Sequence, residues 1–193
     1  AAAAGGGAAF VRSATGAALS AASLTLTLPG VAAGNSILVG LSYYEYDDGV
    51  DGVPSAGASS VPANAWTLAA ASPIRPVAGS DAVAALIYAA HNVAGGDTAI
   101  TIAGAPGTQG FYKATAAEFS GLLDEAAIAA AANTGTHGNP TSAATAALPA
   151  SSSVAFAAFS AGGQDGGASA LGLSTPAGWT NLARDNDAFN SMG

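Results

Sequence analysis

The 193-residue chain contains no cysteine, which excludes disulfide bonds, thiolate zinc sites and cysteine nucleophiles. Basic residues are scarce as well: there are 4 against 12 acidic ones, for a formal net charge of −8. These four, Arg12, Arg75, Lys113 and Arg184, lie far apart along the chain. Since binding to nucleic acid phosphates needs a concentrated basic surface, we expect no nucleic-acid partner. The same argument speaks against a charge-driven membrane partner.

Long apolar runs are also missing. Hydrophobic residues make up 50% of the chain, but most of them are alanine and the larger ones occur in short clusters. None of these clusters approaches the roughly 18 apolar residues of a transmembrane helix. The start, Ala1 to Ala9, contains only alanine and glycine and is predicted to be a flexible arm. The remainder, residues 10–193, is long enough for a single domain with one core.

What the sequence does contain is a series of short strand patterns separated by turn signals. Leu24–Leu28 (LTLTL) alternates with period two, and Ser36–Tyr46 (SILVGLSYYEY) is the strongest strand candidate. Ala82–His91 could be helical because alanine favours helix, but its β-forming residues predict a strand. The Gly95-Gly96 turn then predicts a hairpin with Thr98–Ala103. Further strands are predicted at Phe10–Ser13, Ala65–Ala70, Ala114–Phe119, Ser153–Ser160, Leu171–Leu173 and Trp179–Ala183.

Between the strands, Pro29-Gly30 is interpreted as a turn and Asp47 to Asn64 as a loop. Asp124–Ala132 is the one candidate helix, with acidic residues at its start that suit a helix dipole. Many short strands with turns at intervals of roughly 8–12 residues predict an all-β fold, an antiparallel β-sandwich.

The ordered series GNSILVGLSYYEY, AWTLAA, ALIYAAHNVAGGDTAITI, ATAAEFSGL and STPAGWTNLARDND resembles a family of β-sandwich modules. The family occurs in tailed-phage virion proteins and in secreted bacterial surface proteins. The resemblance runs from about Phe10 to the C-terminus. It implies a jelly-roll-like sandwich that displays, decorates or joins without catalysis, and it carries over no functional residue. Members continue with further strands past the region matching Arg184–Asp187. The domain is therefore expected to lack its last strands, which more of the same polypeptide or a partner subunit would complete.

No catalytic constellation is evident from the residue spacing. The two histidines, His91 and His137, are predicted to lie at a strand end and in a loop, and no G-x-S-x-G elbow accompanies them. Asp124 and Glu125 are adjacent, so on a strand they would point to opposite faces, unlike a glycosidase pair. The expectation is that the chain is not an enzyme.

An acidic loop and three tyrosines leave two binding alternatives open. Oxygen-rich loops bind Ca²⁺, but the spacing in residues 45–51 does not match an EF-hand, and aspartate and glycine also simply form turns. The acidic residues concerned are Glu45, Asp47, Asp48 and Asp51, with Asp185 and Asp187 as a weaker second group. Alternation places Tyr44 and Tyr46 on one face, where they could hold a sugar, and Tyr43 on the other. The favoured interpretation is that these rings pack in the fold, as Trp66 and Trp179 do in the core.

These observations lead to a structural protein of a virion or an extracellular surface, such as a capsid decoration, fibre or tail-associated module. It would act by assembly with other virion or surface proteins, as a homo-oligomer, with no metal and no cofactor. The alternative is a carbohydrate-binding module of a secreted protein with a glycan partner. An esterase or glycosidase is the third hypothesis.

Overall fold

The computed structural model describes residues 7–45, 56–74, 82–104, 110–122, 154, 156–158, 160–162, 177, 180–182, 185–186 and 190–192. These residues form strands and contain no helix. The strands are β1 (Ala9–Ala21), β2 (Ser23–Val31), β3 (Ser36–Glu45), β4 (Ala56–Val61), β5 (Thr67–Ile74), β6 (Ala82–Ala90), β7 (Gly96–Gly104), β8 (Gly110–Ser120), β9 (Ser160–Gly162), β10 (Asp185–Asn186) and β11 (Asn190–Met192). Within this part of the chain there is accordingly no apolar helix of membrane-spanning length.

Two antiparallel sheets pack against each other, which confirms the predicted all-β sandwich. The first has five strands in the order β1-β8-β3-β6-β5, and the second has three in the order β2-β7-β4. A small third sheet has the order β10-β11-β9. Among the first eight strands, the first pairs with the eighth, the second with the seventh and the third with the sixth. This is the order that results when a long hairpin rolls up, and it makes the sandwich jelly-roll-like.

Period-two alternation builds the core between the two large sheets. Leu24, Leu26 and Leu28 of β2 are buried, while the residues between them are exposed. They face the apolar positions of β3, β6 and β8 across the sandwich, and β7 adds Ile100 and Ile102. The core members contributed by the five-stranded sheet are Ile37, Val39, Leu41, Tyr43, Ala84, Leu86, Tyr88, Ala90, Tyr112, Ala114 and Ala116.

The opposite face of the five-stranded sheet is covered over its middle strands, β3 and β8. The Phe119 ring packs edge-on against Phe156, with ring centroids 6.3 Å apart. A Cβ added to Gly40 of β3 would lie 3.1 Å from the Ala158 Cβ, so glycine lets this segment approach the sheet closely. Because β3 is buried on both faces, its sequence reads as a nearly continuous apolar run.

The predicted hairpin between Ala82–His91 and Thr98–Ala103 is wrong, although both segments are strands. β6 pairs with β3 and β5 in one sheet, and β7 pairs with β2 and β4 in the other. The connection uses positive φ at Asn92, Gly95 and Gly96, and it buries Val93 in the core. The chain therefore crosses between the sheets, so that the apolar faces of the two strands pack across the sandwich.

Four other sequence interpretations change. In the predicted strand Trp179–Ala183, the described residues 180–182 are not in strand conformation. Pro29-Gly30 does not turn the chain, because β2 continues to Val31 through a register shift. The loop predicted over Asp47 to Asn64 contains β4, whose small residues pair with β7. In the predicted strand Ser153–Ser160, the described residues 154 and 156–158 are not in strand conformation, and β9 begins at Ser160. Residues 1–6 of the predicted arm, the candidate helix and Leu171–Leu173 lie outside the described residues.

Candidate functional site

A shallow groove lies where β5 and β6 meet the loop that follows β6. Its volume is about 410 Å³. Alanine side chains supply its apolar part, and two asparagines, a threonine and a histidine supply its polar groups. The lining residues are Ala63, Asn64, Ala65, Thr67, Ala89, His91, Asn92 and Ala94. A groove of this composition suits a small polar ligand.

One wall of the groove is fixed by the side chain of Asn64. Its Nδ2 donates to the Ser60 Oγ at 3.0 Å and to the Pro62 carbonyl at 3.1 Å, and its Oδ1 accepts from the Ala94 N–H at 2.9 Å. The Trp66 Nε1 also donates to the Ser60 Oγ, at 3.1 Å. Asn64 thus ties the connection before β5 to the one after β6. Since these bonds occupy both the Nδ2 and the Oδ1 of Asn64, a ligand in the groove would contact other lining residues.

The groove residue His91 forms a hydroxyl–imidazole pair with a serine beneath the groove. The Ser36 Oγ lies 2.9 Å from the His91 Nδ1, which is the contact between a nucleophile and its base in hydrolases. Ser36, however, is only 1% exposed, so a substrate cannot reach its hydroxyl. The pair therefore orients the imidazole in the groove. Thr67 Oγ1 donates to the Ala89 carbonyl at 3.3 Å, which fixes a second polar side chain there.

A buried carboxylate lies on β8, on the other side of β3 from the groove. Glu118 is fully buried, and its Oε1 accepts from the Ala32 N–H at 2.9 Å and from the Asn35 Nδ2 at 2.6 Å. Its Oε2 lies 2.8 Å from the Arg12 Nε, an ion pair without hydrogen-bond alignment, and Arg12 Nη1 donates to the Pro29 carbonyl. A buried carboxylate needs such partners. Arg12 therefore neutralises Glu118, and its charge does not serve to bind a ligand.

The edges of the two large sheets differ in their ability to bind another strand. Proline, which lacks an N–H donor, blunts a sheet edge. Pro73 lies in the edge strand β5, Pro29 lies in the edge strand β2, and Pro62 directly follows the edge strand β4. The fourth edge strand, β1, has 13 residues and no proline, and it exposes 49% of Phe10 and 58% of Leu19. Among the described residues, β1 pairs only with β8.

The structure places few of the residues singled out in the sequence. Tyr43 is buried, with its ring centroid 4.8 Å from that of Tyr112, and Trp66 packs against the core, both as predicted. Within the described residues, no group of three or more His, Asp or Glu side chains could hold a metal ion. The remaining candidates lie outside the described residues, or have only their backbone described: Tyr44, Glu45, Tyr46, Asp47, Asp48, Asp51, Asp124, Glu125, His137, Trp179, Asp185 and Asp187.

Two features were missed in the sequence. The groove residue Asn64 precedes the predicted strand Ala65–Ala70 and Thr67 lies within it. Their spacing in the sequence gave no signal, because only the fold brings them beside His91. Glu118 did carry a signal: a lone carboxylate within the apolar segment ATAAEFSGL indicates a buried partner.

No protein family, curated protein or solved structure matches this chain.

Proposed function

We propose that the chain is a structural module of a virion or of an extracellular surface assembly, which acts by assembly and display and not by catalysis. The observation that carries this proposal is β1, a 13-residue strand without proline that lies at the end of its sheet and, among the described residues, pairs only with β8. An open strand edge pairs readily with another chain. Long edges of this kind are normally blunted, as the other three edges of this sandwich are.

The composition of the chain supports the same function. Charged residues make up only 8% of the sequence, so few charges need to be desolvated when copies pack together. On β1 the exposed residues between Phe10 and Leu19 include Ser13, Thr15 and Ala17, which are small and uncharged. Small side chains allow two sheets to approach closely. The resemblance to virion and surface modules points in the same direction.

Fractionation of the native source tests this proposal. Native particles would be separated by size without denaturant, and the copy number of the chain in each fraction would be measured by quantitative mass spectrometry. We expect the chain in large particles, at a constant ratio to one or more other structural proteins. Recovery only as a free monomer of 18.1 kDa would contradict the proposal.

Carbohydrate binding is the second candidate, and the groove favours it. Thr67, His91 and Asn92 present polar groups beside alanine methyl groups, a mixture that matches the hydroxyls and C–H faces of a sugar. A glycan array would test this, with His91→Ala and Asn92→Ala as groove variants. Binding that both variants weaken would support a glycan site. Thr27→Ala, on an exposed position of β2 away from the groove lining, serves as the control.

A further inference from the structure

We infer that β1 exchanges between two copies of this chain, so that β1 of each copy leaves its own β8 and pairs with β8 of the other. The product is a dimer in which every strand pair is the same as in the single molecule. This inference rests on the proposed function and deepens it, because it names a second copy as the partner and β1 as the element that links the two. It is carried by the burial of β1, by the corner that follows β1 and by the contacts that β1 makes.

The strand β1 contributes little to the core. None of its 13 residues is buried, whereas β2 buries three leucines and a valine. Of β1, only Ala14 and Ala18 pack against the core, and both are partly buried. Because an alanine side chain has little apolar area, little hydrophobic free energy is lost when β1 is released. The cost of release comes mainly from the hydrogen bonds between β1 and β8.

A strained corner joins β1 to β2. The two strands belong to different sheets, yet Ala22 is the single residue between them. Shortly before it, Ser20 has a φ of 51°, a left-handed conformation that costs free energy in a residue with a Cβ. In the exchanged dimer the corner opens, and Ser20 takes an extended conformation without this cost. Short connections under strain favour strand exchange between copies for this reason.

The contacts of β1 are the same before and after the exchange. Arg12 lies 2.8 Å from Glu118 of its own chain, and in the dimer it meets the same carboxylate on the second copy. The ladder of ten residue pairs with β8 re-forms in the same way. Whatever else β1 touches on its own molecule is also present on an identical molecule. An identical chain is therefore the partner that β1 fits.

The balance between the two forms is determined mainly at the corner, because the other contacts cancel. Relief of the Ser20 conformation favours the dimer. The Tyr112 hydroxyl opposes it, since its hydrogen bond of 3.2 Å to the Ala22 carbonyl holds the corner closed. The dimer fraction is therefore expected to rise with protein concentration. Exchange becomes extensive where an assembly holds many copies close together, because the effective concentration is then high.

Two single-cysteine variants test the exchange, because the chain itself has no cysteine. Thr15 of β1 lies directly opposite Thr115 of β8, and side chains in such a pair are close enough for a disulfide. A Thr15→Cys protein and a Thr115→Cys protein are mixed at high concentration in dilute urea under reducing conditions and are then oxidised. We expect a disulfide-linked heterodimer, since β1 of one protein then lies against β8 of the other. Each protein alone should cross-link much less.

The matched control uses Thr25 of β2 and Thr101 of β7. These residues also lie opposite each other, with their hydroxyls 3.0 Å apart, but β2 and β7 stay in one chain when β1 exchanges. A mixture of Thr25→Cys and Thr101→Cys proteins should therefore give only the heterodimer that random collisions produce. One chain with both Thr15→Cys and Thr115→Cys shows that the pair can form a disulfide. If that disulfide forms and the mixture of the two single variants cross-links no more than the control, the inference is wrong.

Substitutions of Ser20 test the corner by a measurement that needs no disulfide. Glycine adopts the left-handed conformation readily, whereas β-branched valine disfavours it. Both Ser20→Gly and Ser20→Val remove the hydroxyl, so the difference between them reports the backbone conformation. In sedimentation equilibrium of the whole chain, the average mass should rise from 18.1 kDa towards twice that value. We expect the dimer dissociation constant of Ser20→Val to be lower by about tenfold or more.

Equal dissociation constants for the two Ser20 variants, or two variants that both stay monomeric, would overturn the inference. The proposed function would remain intact in that case if native fractions still contain the chain in large particles at a constant ratio to other structural proteins.

Discussion

Tyr88 and Tyr112 are both buried in the core, but their hydroxyl groups have different surroundings. The Tyr112 hydroxyl donates to the Ala22 carbonyl at 3.2 Å and accepts from the Gly104 N–H at 3.0 Å. It joins the ends of β1 and β7, which belong to opposite sheets. The Tyr88 hydroxyl is buried and makes no hydrogen bond within the described residues. The Tyr112 hydroxyl thus stabilises the sandwich. Burial of the Tyr88 hydroxyl costs desolvation free energy that no hydrogen bond offsets.

Replacement of each tyrosine by phenylalanine separates these two situations. Tyr112→Phe is expected to lower the free energy of unfolding by about 1–2 kcal/mol, because two hydrogen bonds are lost. Tyr88→Phe should leave it unchanged or raise it by up to about 1 kcal/mol, because an unpaired buried hydroxyl is removed. Urea unfolding of both variants measures the difference. Equal losses in the two variants would contradict this account of the core.

Burial also gives Tyr88 an effect on alkaline stability. Desolvation raises the pKa of Tyr88 from 10.0 to about 12 in the folded protein. Between these values the unfolded chain loses a proton that the folded chain keeps, so stability falls as the pH rises. Below pH 10 this contribution is fully present. At pH 11, Tyr88→Phe should gain about 1 kcal/mol over the wild type, relative to their difference at pH 7. A constant difference between the two proteins would argue against the shifted pKa.

At the scale of elements, the close packing of β1 against β2 depends on a glycine. A Cβ added to Gly16 would lie 2.6 Å from the Leu26 Cδ2 and 3.4 Å from the Leu24 Cδ1. Both leucines are buried, so neither can move away freely. Gly57 of the edge strand β4 is different, because nothing lies within 4 Å of an added Cβ there.

These two edge-strand glycines form a matched pair for mutation. Gly16→Val is expected to destabilise the fold by about 1–3 kcal/mol, because it overpacks the core. Gly57→Val should change stability by less than about 0.5 kcal/mol, or increase it slightly, since valine suits an exposed strand better than glycine does. Thermal or urea unfolding provides the measurement. A neutral Gly16→Val variant would mean that the two sheets are not held as closely as the structure shows.

The sequence predicted where strands form better than it predicted how they pair. Ala82–His91 was recognised as a strand despite its alanines, because Val83, Leu86, Ile87 and Tyr88 favour β-structure. Its partner was assigned wrongly, because a glycine turn fits a hairpin and a crossing between sheets equally well. β4 was missed, because AGASSV has Val61 as its one larger apolar side chain and is recognised as a strand only through its pairing with β7.

The functional surfaces were less predictable for the same reason. His91 was noted in the sequence, but its neighbours Asn64 and Thr67 come from an element distant in the chain. The position of β1 at the end of its sheet appears only once the strand order of the described residues is known, since any strand in the chain could have been central. Phe10 and Leu19 read as ordinary apolar residues until the register places both on an exposed edge.

For the molecule as a whole, the architecture suits a stable building block. The middle strands β3 and β8 of the five-stranded sheet are packed on both faces, and the second large sheet closes the core. Three of the four edges of the large sheets carry a proline in or next to the strand. The remaining edge strand, β1, contains no proline.

A structural function also predicts that the histidines are dispensable. His91→Ala and His137→Ala, singly and together, should leave incorporation of the chain into its native particle unchanged. His91→Ala removes the hydrogen bond to Ser36, so a stability loss of about 1 kcal/mol is expected. The measurement is the amount of each variant recovered in purified particles. A folded variant that loses a hydrolytic activity of the wild type would instead identify an enzyme.

Cryo-electron microscopy of the native particle tests the structural function most directly. The account predicts density for this sandwich at regularly repeated positions, in contact with neighbouring copies or with other structural proteins of the particle. Particles that lack the chain, or that hold it at irregular positions without contacts between folded domains, would contradict the account.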